Sequence, residues 1–269
     1  MRRDPGQAVV YAGGPAPGER PAWLLGGAAL LLLGLVWEAV ARLGWVPALF
    51  LPAPTAVLAE AGRMARSGEL GRHVGVSLAR VGIGFGLGAG VGTVLGLVLG
   101  SSRALWAIGN PIIAATYPIP KIALLPLMIL WLGIGETPKV AMIALGVFFP
   151  VVNAHAGVRG TDPLMVKAAK SLGAGPWQVV LKVVLPSALP TILAGYRLGA
   201  GIALLLVVSA EMINATSGIG FLILHSGDLM LTGKLMVGLA TLSLLGLAST
   251  WGLRALEAWL APWKEEGRG

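Results

Sequence analysis

The chain has no cysteine among its 269 residues and only three histidines. Disulfides, thiolate metal sites and a cysteine nucleophile are thereby excluded. Charge is scarce: Asp, Glu, Lys and Arg make up 12% of residues, where a soluble domain carries about 25%. With 56% apolar residues, the chain has too little polar surface to cover itself in water. What it holds in quantity is glycine, 40 residues, and long apolar runs. Six apolar blocks stand out, at about 22–43, 76–100, 111–133, 138–158, 187–212 and 235–260. Each is near the length that spans a ~30 Å hydrocarbon core as a helix. The expected fold class is an all-α membrane protein with about six transmembrane helices.

The first block is read as a span, not a cleaved leader. A polar, Gly/Pro-rich tail runs to Pro21 before it, and the apolar stretch from Ala22 exceeds the usual 7–15 residue leader core. Residues 1–21 form a polar tail and 22–269 one transmembrane domain. Six spans put both termini on one side. With the termini inside, Lys and Arg divide 11 inside to 5 outside, which favours cytoplasmic termini. The net charge of +8 is therefore read as an orientation signal, and no nucleic-acid partner is expected.

After the first span, Pro52 and Pro54 break the chain, and Thr55 is expected to cap a short helix to about Ser67. Val57, Leu58, Ala61 and Met64 fall on one side of it. In the second block Gly84, Gly88, Gly92, Gly96 and Gly100 recur at every fourth residue, with Gly82, Gly86 and Gly90 in a second row. Such rows let another helix approach closely, within one subunit or between two. No GxxxxGK[ST] loop is present, so the glycines do not cradle a nucleotide. In the third block Pro111, Pro118, Pro120 and Pro126 cannot share one straight helix. The carbonyls they free must face protein or a water-filled path.

The segment 159–186 is the most informative. Asp162 at N-cap and Pro163 at N1 start a helix expected to reach about Leu172, where Gly173 stops it. Gly175-Pro176 starts a second short helix that Leu185-Pro186 is expected to end. Two helices too short to span thus meet at a glycine corner. The corner offers Ala168, Ala169, Leu172, Ala174 and Trp177, a knob with little charge that fits a groove on a partner.

The run Lys167-Ala168-Ala169-Lys170-Ser171-Leu172-Gly173, followed by Leu185-Pro186, resembles the EAA loop of ABC importer permeases. Pro118 to Glu136 and Ala210 to Leu224 resemble the nitrate/sulfonate/taurine branch of that family. The similarity covers about Leu51 to Trp263. It implies a type I ABC importer permease architecture. The chain would be a transport subunit rather than an enzyme, with no catalytic residue, cofactor or metal of its own. It would lie in the bacterial inner membrane as a permease homodimer, with ATP-hydrolysing subunits on one side and a substrate-binding protein on the other. The solute implied is small and anionic, of the nitrate, sulfonate or taurine type, with a thiamine-precursor or riboflavin-like molecule as the alternative. The ATPase-coupling residues implied are Lys167, Ala168, Ala169, Ser171, Leu172, Gly173, Ala174 and Trp177. The family's glutamate is Lys167 here, so any ion pair made by that glutamate does not carry over.

Charges within spans mark pathways or pairs. Glu38 and Arg42 have the i, i+4 spacing of a local pair. Lys121, Glu211, Asn214 and Arg197 are the translocation-path candidates. For Lys121 the alternative is a lysine held by a carboxylate or carbonyl; Glu211, just before the turn from Asn214 to Gly220, belongs to an outer gate or simply caps the helix network. Arg197 either snorkels to the interface or lines the path. His73, His155 and His225 lie in different segments without ligand spacing, so packing roles are expected rather than a metal site. An intramembrane enzyme lacks a convincing acid–base pair, Ser209 and Glu211 notwithstanding. An ion-coupled secondary transporter would show two matched halves with broken helices, and only one such helix is evident.

Overall fold

The structure is a computed structural model that describes residues 22–154 and 161–261. All regular structure among them is helical. Of the described residues, those up to Thr55 form one compact unit and those from Ala56 another.

The first unit holds α1 (Ala22–Arg42). Glu38 and Arg42 pair at 2.5 Å, as their spacing predicts. Glu38 also accepts from the Thr55 backbone N–H at 3.1 Å and the Thr55 hydroxyl at 2.7 Å. Thr55 is therefore not the N-cap of α2 (Pro54–Arg66) but lies in its first turn. Its free N–H is satisfied by a carboxylate from α1, which suits the positive end of a helix.

The second unit is built around α6 (Thr137–Ala154), which packs against both α3 (Glu69–Ser101) and α9 (Leu185–Asn214). Met142, Ile143, Val147, Val151 and Val152 of α6 are fully buried. The glycine row makes this possible. A Cβ on Gly84 would lie 2.7 Å from the Ile143 side chain, one on Gly92 3.0 Å from the Phe148 carbonyl oxygen, and one on Gly88 would strike the Ala144 carbonyl. So Gly84, Gly88 and Gly92 pack within one subunit. Gly82, Gly86 and Gly90 have nothing within 4 Å. A second cluster joins Val57 and Met64 of α2 to Leu222 and Val237. Leu58, expected on the same side, is 71% exposed instead.

Between α3 and α6 the chain is broken as the prolines require. α4 (Arg103–Thr116) and the segment Lys121–Leu132, which includes α5 (Leu125–Leu132), meet at 86°. The break falls at Tyr117–Pro120, and Pro126 sits in the first turn of α5. After α6 come α7 (Pro163–Ser171) and α8 (Pro176–Val179). A π-helical turn, Val180–Val184, then runs directly into α9. α10 (Ile219–Asp228) and α11 (Thr232–Leu260) complete the unit.

Four helical stretches are long and apolar enough to cross a membrane: Leu24–Arg42, Glu69–Gly100, Pro176–Asn214 and Thr232–Leu260. The bent pair, taken as one, makes a fifth. Among the described residues the one block of the expected six not counted is the fourth, a shorter apolar helix. The fourth block is an 18-residue helix, about 27 Å long at 1.5 Å per residue. It serves as the buried core of the unit. The remainder of that block, from His155, lies outside the described residues.

A correction concerns Leu185-Pro186, which does not end a helix. Pro186 has no N–H to give the Lys182 carbonyl, a loss that breaks a regular α-helix. Here the preceding turn is wound wider, with the Leu185 N–H on the Val180 carbonyl. The helix from Pro176 to Asn214 therefore continues for 39 residues.

Candidate functional site

The corner at Gly173 forms as its local residues dictate. The Asp162 side chain accepts from the Leu164 N–H at 2.8 Å, and Pro163 occupies N1. At the other end of α7, the Gly173 N–H bonds the Lys170 carbonyl at 3.0 Å and the Ala174 N–H bonds the Ala169 carbonyl at 3.1 Å. These are the two bonds of a Schellman closure, and Gly173 takes the left-handed φ of +82° that it needs. The Gly175 N–H is met by the Gln178 side chain at 3.1 Å. The turn at Gly173 is therefore closed by hydrogen bonds from within the corner itself.

What the corner presents is apolar and uncovered. Leu172 is 88% exposed and Trp177 76%. Lys167 and Ala168 are exposed, Ala169 and Ala174 half-buried, and the Ser171 hydroxyl is turned back to the Lys167 carbonyl at 3.0 Å. A cavity of about 320 Å³ opens on the concave side between Ala169, Leu172, Ala174, Gln178 and Lys182. Lys167, Lys170 and Lys182 have no ion pair among the described residues.

The far end of α9 carries a buried ionic cluster. Glu211, 1% exposed, accepts from the Arg80 Nη1 at 2.8 Å, the Ser77 hydroxyl at 2.8 Å and the Gly220 N–H at 2.8 Å. Ser77 in turn accepts from the Ile219 N–H at 2.8 Å, and His73 Nδ1 from the Gly218 N–H at 3.1 Å. Three side chains thus satisfy the first N–H groups of α10. The carboxylate among them also favours the positive end of that helix. Close approach requires Gly218, whose φ is +120° and whose missing Cβ would overlap the Glu211 carboxylate.

Arg80 holds a second acid with its other edge. Its Nε and Nη2 grip Glu136, the latter at 2.7 Å, and Lys139 Nζ lies 3.0 Å from the same carboxylate. Arg80 and Lys139 are each 4% exposed, while the Glu136 side chain is 60% exposed. The two cations hold the Glu136 carboxyl down at about 2, well below the usual 4.5.

The path candidates fall into pairs and caps. Glu211 caps α10. Lys121 Nζ donates to the carbonyls of Thr116, Tyr117 and Ile119 at 3.1, 2.7 and 2.8 Å, and lies 4.2 Å from the centre of the Phe149 ring. All three of its protons meet carbonyls released at the break after α4. Arg197 pairs with Glu257 of α11. Asn214 ends α9, and its buried Nδ2 has no hydrogen-bond partner among the described residues. His73 and His225 lie on either side of the Phe221 ring, at 6.0 and 5.1 Å; His155 lies outside the described residues. No group of three metal-ligating side chains occurs among them. Sequence reading passed over Arg80, Ser77, Glu136 and Lys139. The partners of Arg80 and Ser77 lie 56 to 142 positions away in the chain, so no local spacing reveals them; Glu136 and Lys139, three positions apart, do have the spacing of a local pair.

Residues 91–262 match the family described as "Binding-protein-dependent transport system inner membrane component". The chain is 38% identical over 243 residues to a taurine transport system permease protein of Escherichia coli, covering 88% of each. It is 35% identical over 252 residues to a putative aliphatic sulfonates transport permease protein of Bacillus subtilis, covering 93% of this chain and 91% of that protein. Among solved structures, an inward-facing conformation of the MetNI methionine ABC transporter resembles it in fold. The TM-score is 0.52 at 22% identity, over 66% of this chain and 92% of that one.

Proposed function

The chain belongs to the family of binding-protein-dependent transport inner membrane components, and on that footing we propose that it is the membrane-spanning permease of an ATP-driven importer for a small solute that carries an anionic sulfonate group, as taurine does. An external binding protein would deliver the solute, and separate ATPase subunits would supply the energy. The observation that carries this reading is the corner at Gly173. It is closed by its own hydrogen bonds, apolar and uncovered, and it leads through Pro176 into the helix that ends at Asn214. A groove on an ATPase subunit would accept Leu172 and Trp177, and Lys167, Ala168, Ala169, Ser171 and Ala174 would surround that contact.

The chain is a multi-pass membrane protein and a transport subunit. We propose further that the corner faces the cytoplasm, with the termini on the same side, and that two copies form the pathway. The Glu211 end of α9 would then face outward. Lys121, Glu211 and Arg197 have partners within the chain, which leaves Asn214 as the candidate we propose for lining the path.

The test is reconstitution with the ATPase subunits in lipid nanodiscs. Loaded binding protein should stimulate ATP hydrolysis several-fold. Solute uptake that continues without any ATPase would overturn the importer reading.

A further inference from the structure

The geometry points to a sulfonate-binding cradle formed by Arg80 and Lys139 and occupied in this state by the chain's own Glu136. The inference rests on the importer reading above, and it names a place on the permease itself where the anion would bind.

Three observations carry it. First, the cations are buried and the acid is not. Arg80 and Lys139 are 4% exposed, whereas the Glu136 side chain is 60% exposed. The open member of the cluster is the one that can leave. Second, Arg80 is anchored without Glu136. Its Nη1 donates to Glu211 at 2.8 Å and to the Ser217 carbonyl at 2.7 Å. If Glu136 departs, the Nε–Nη2 edge keeps its position as a fork with two parallel donors, a shape that fits a carboxylate or the paired oxygens of a sulfonate. Third, Glu136 sits where the backbone can move it. It ends the four-residue linker between α5 and α6, in which Gly133 and Gly135 both have positive φ, +79° and +146°.

The charge count is consistent with exchange. Arg80 and Lys139 are balanced by Glu211 and Glu136. Removing Glu136 leaves one positive charge in excess at a buried site, and a monoanion restores neutrality without a further proton or ion. Glu136 then acts as a placeholder. It keeps the two cations paired while no solute is present and competes with the solute when one arrives.

The experiment uses the permease with its ATPase subunits in nanodiscs, without binding protein, and radiolabelled ethanesulfonate as probe. Glu136→Gln removes the competing charge and should bind ethanesulfonate about tenfold more tightly than the native complex, the gain expected when a site open about a tenth of the time is freed. Adding Lys139→Gln should weaken binding again by about tenfold, the loss of one charged hydrogen bond. Failure of Glu136→Gln to bind the probe, in a sample that still hydrolyses ATP on addition of loaded binding protein, overturns the cradle and leaves the importer reading standing. Equal competition by chloride, which cannot bridge the two donors of the fork, would make the site a general anion seat and overturn the assignment. Should Glu136→Gln fail to assemble, Glu136→Ala is read in the same way. Loss of binding-protein-stimulated hydrolysis in the native complex would instead count against the importer reading.

Discussion

Arg80 and Glu211, 131 positions apart in the chain, meet at 2.8 Å with their side chains 5% and 0% exposed. A buried pair of this kind is costly to break from one side. Glu211→Ala leaves the Gly220 N–H without an acceptor and the buried Arg80 Nη1 with only the Ser217 carbonyl, and should destabilise the protein by about 3–5 kcal/mol. Replacing both partners with apolar residues should cost less than the sum of the single changes. Thermal unfolding in detergent, followed for both single variants and the pair, measures this.

Glu136 gives the cluster a pH dependence. Its carboxyl titrates at about 2 in the folded chain, against 4.5 as its ordinary value. A depressed carboxylate contributes stability that is present above the ordinary value and lost as pH falls through the folded one. The native protein should therefore lose thermal stability between pH 4.5 and 2 more steeply than Glu136→Gln. The difference should be small, since the side chain is exposed to screening. Parallel curves for the two proteins would show that the ion pairs contribute nothing at this site.

Gly173 offers a test of the corner. Any side chain at a φ of +82° is strained by about 1–2 kcal/mol. Gly173→Asp should abolish stimulation of the ATPase by loaded binding protein while the helical content in circular dichroism stays native. Nothing lies within 4 Å of a Cβ there, so the effect should come from the backbone and not from a clash.

The two glycine rows of α3 should respond oppositely. Gly88→Val forces a side chain into the Ala144 carbonyl and should cost at least about 1–3 kcal/mol as α3 and α6 separate. A Cβ at Gly86 meets no atom within 4 Å, so Gly86→Val should change the subunit's stability by less than about 0.5 kcal/mol. Chemical denaturation of the solubilised protein separates the two outcomes.

Lys121→Met should lower stability and leave solute selectivity unchanged. It removes three hydrogen bonds to the carbonyls of Thr116, Tyr117 and Ile119, each contributing about 1.5–3 kcal/mol at most when charged and less in a polar setting. A change in solute preference, measured by competition between sulfonate and neutral analogues, would instead place this lysine on the path.

The corner was legible in the sequence because its signals are local. Asp162-Pro163, Gly173 and Gly175-Pro176 each specify a start or a stop within a turn or two, and each appears where the spacing predicts. The break of the third block was legible for the same reason, since Pro118 and Pro120 bracket it. The ionic cluster was not. Glu69, Arg72 and His73 look like loop residues, yet they begin α3, because Glu69 pairs with Lys234 at 2.8 Å and His73 caps α10. α10 itself is not signalled in the sequence, where only a turn from Asn214 to Gly220 is expected. Its N-terminal donors are satisfied by side chains from two other helices, so no capping residue appears in its own stretch. The passage through Pro186 was hidden for a different reason. A wider turn absorbs a proline without any residue type announcing it.

That uninterrupted helix has a mechanical consequence. From Pro176 to Asn214 it runs about 58 Å at 1.5 Å per residue. A stiff rod of that length, rotated by about 5° about its midpoint, sweeps each tip through about 2.5 Å. That is close to the whole length of a hydrogen bond. If the corner docks on an ATPase as proposed, leverage of this size would gear Trp177 at one tip to Glu211 near the other, so that a small push on the first would be large enough to disturb the second. The wider turn at Val180–Val184 sits a few residues from the pushed tip, where a compliant joint sets how much of the push reaches the rod.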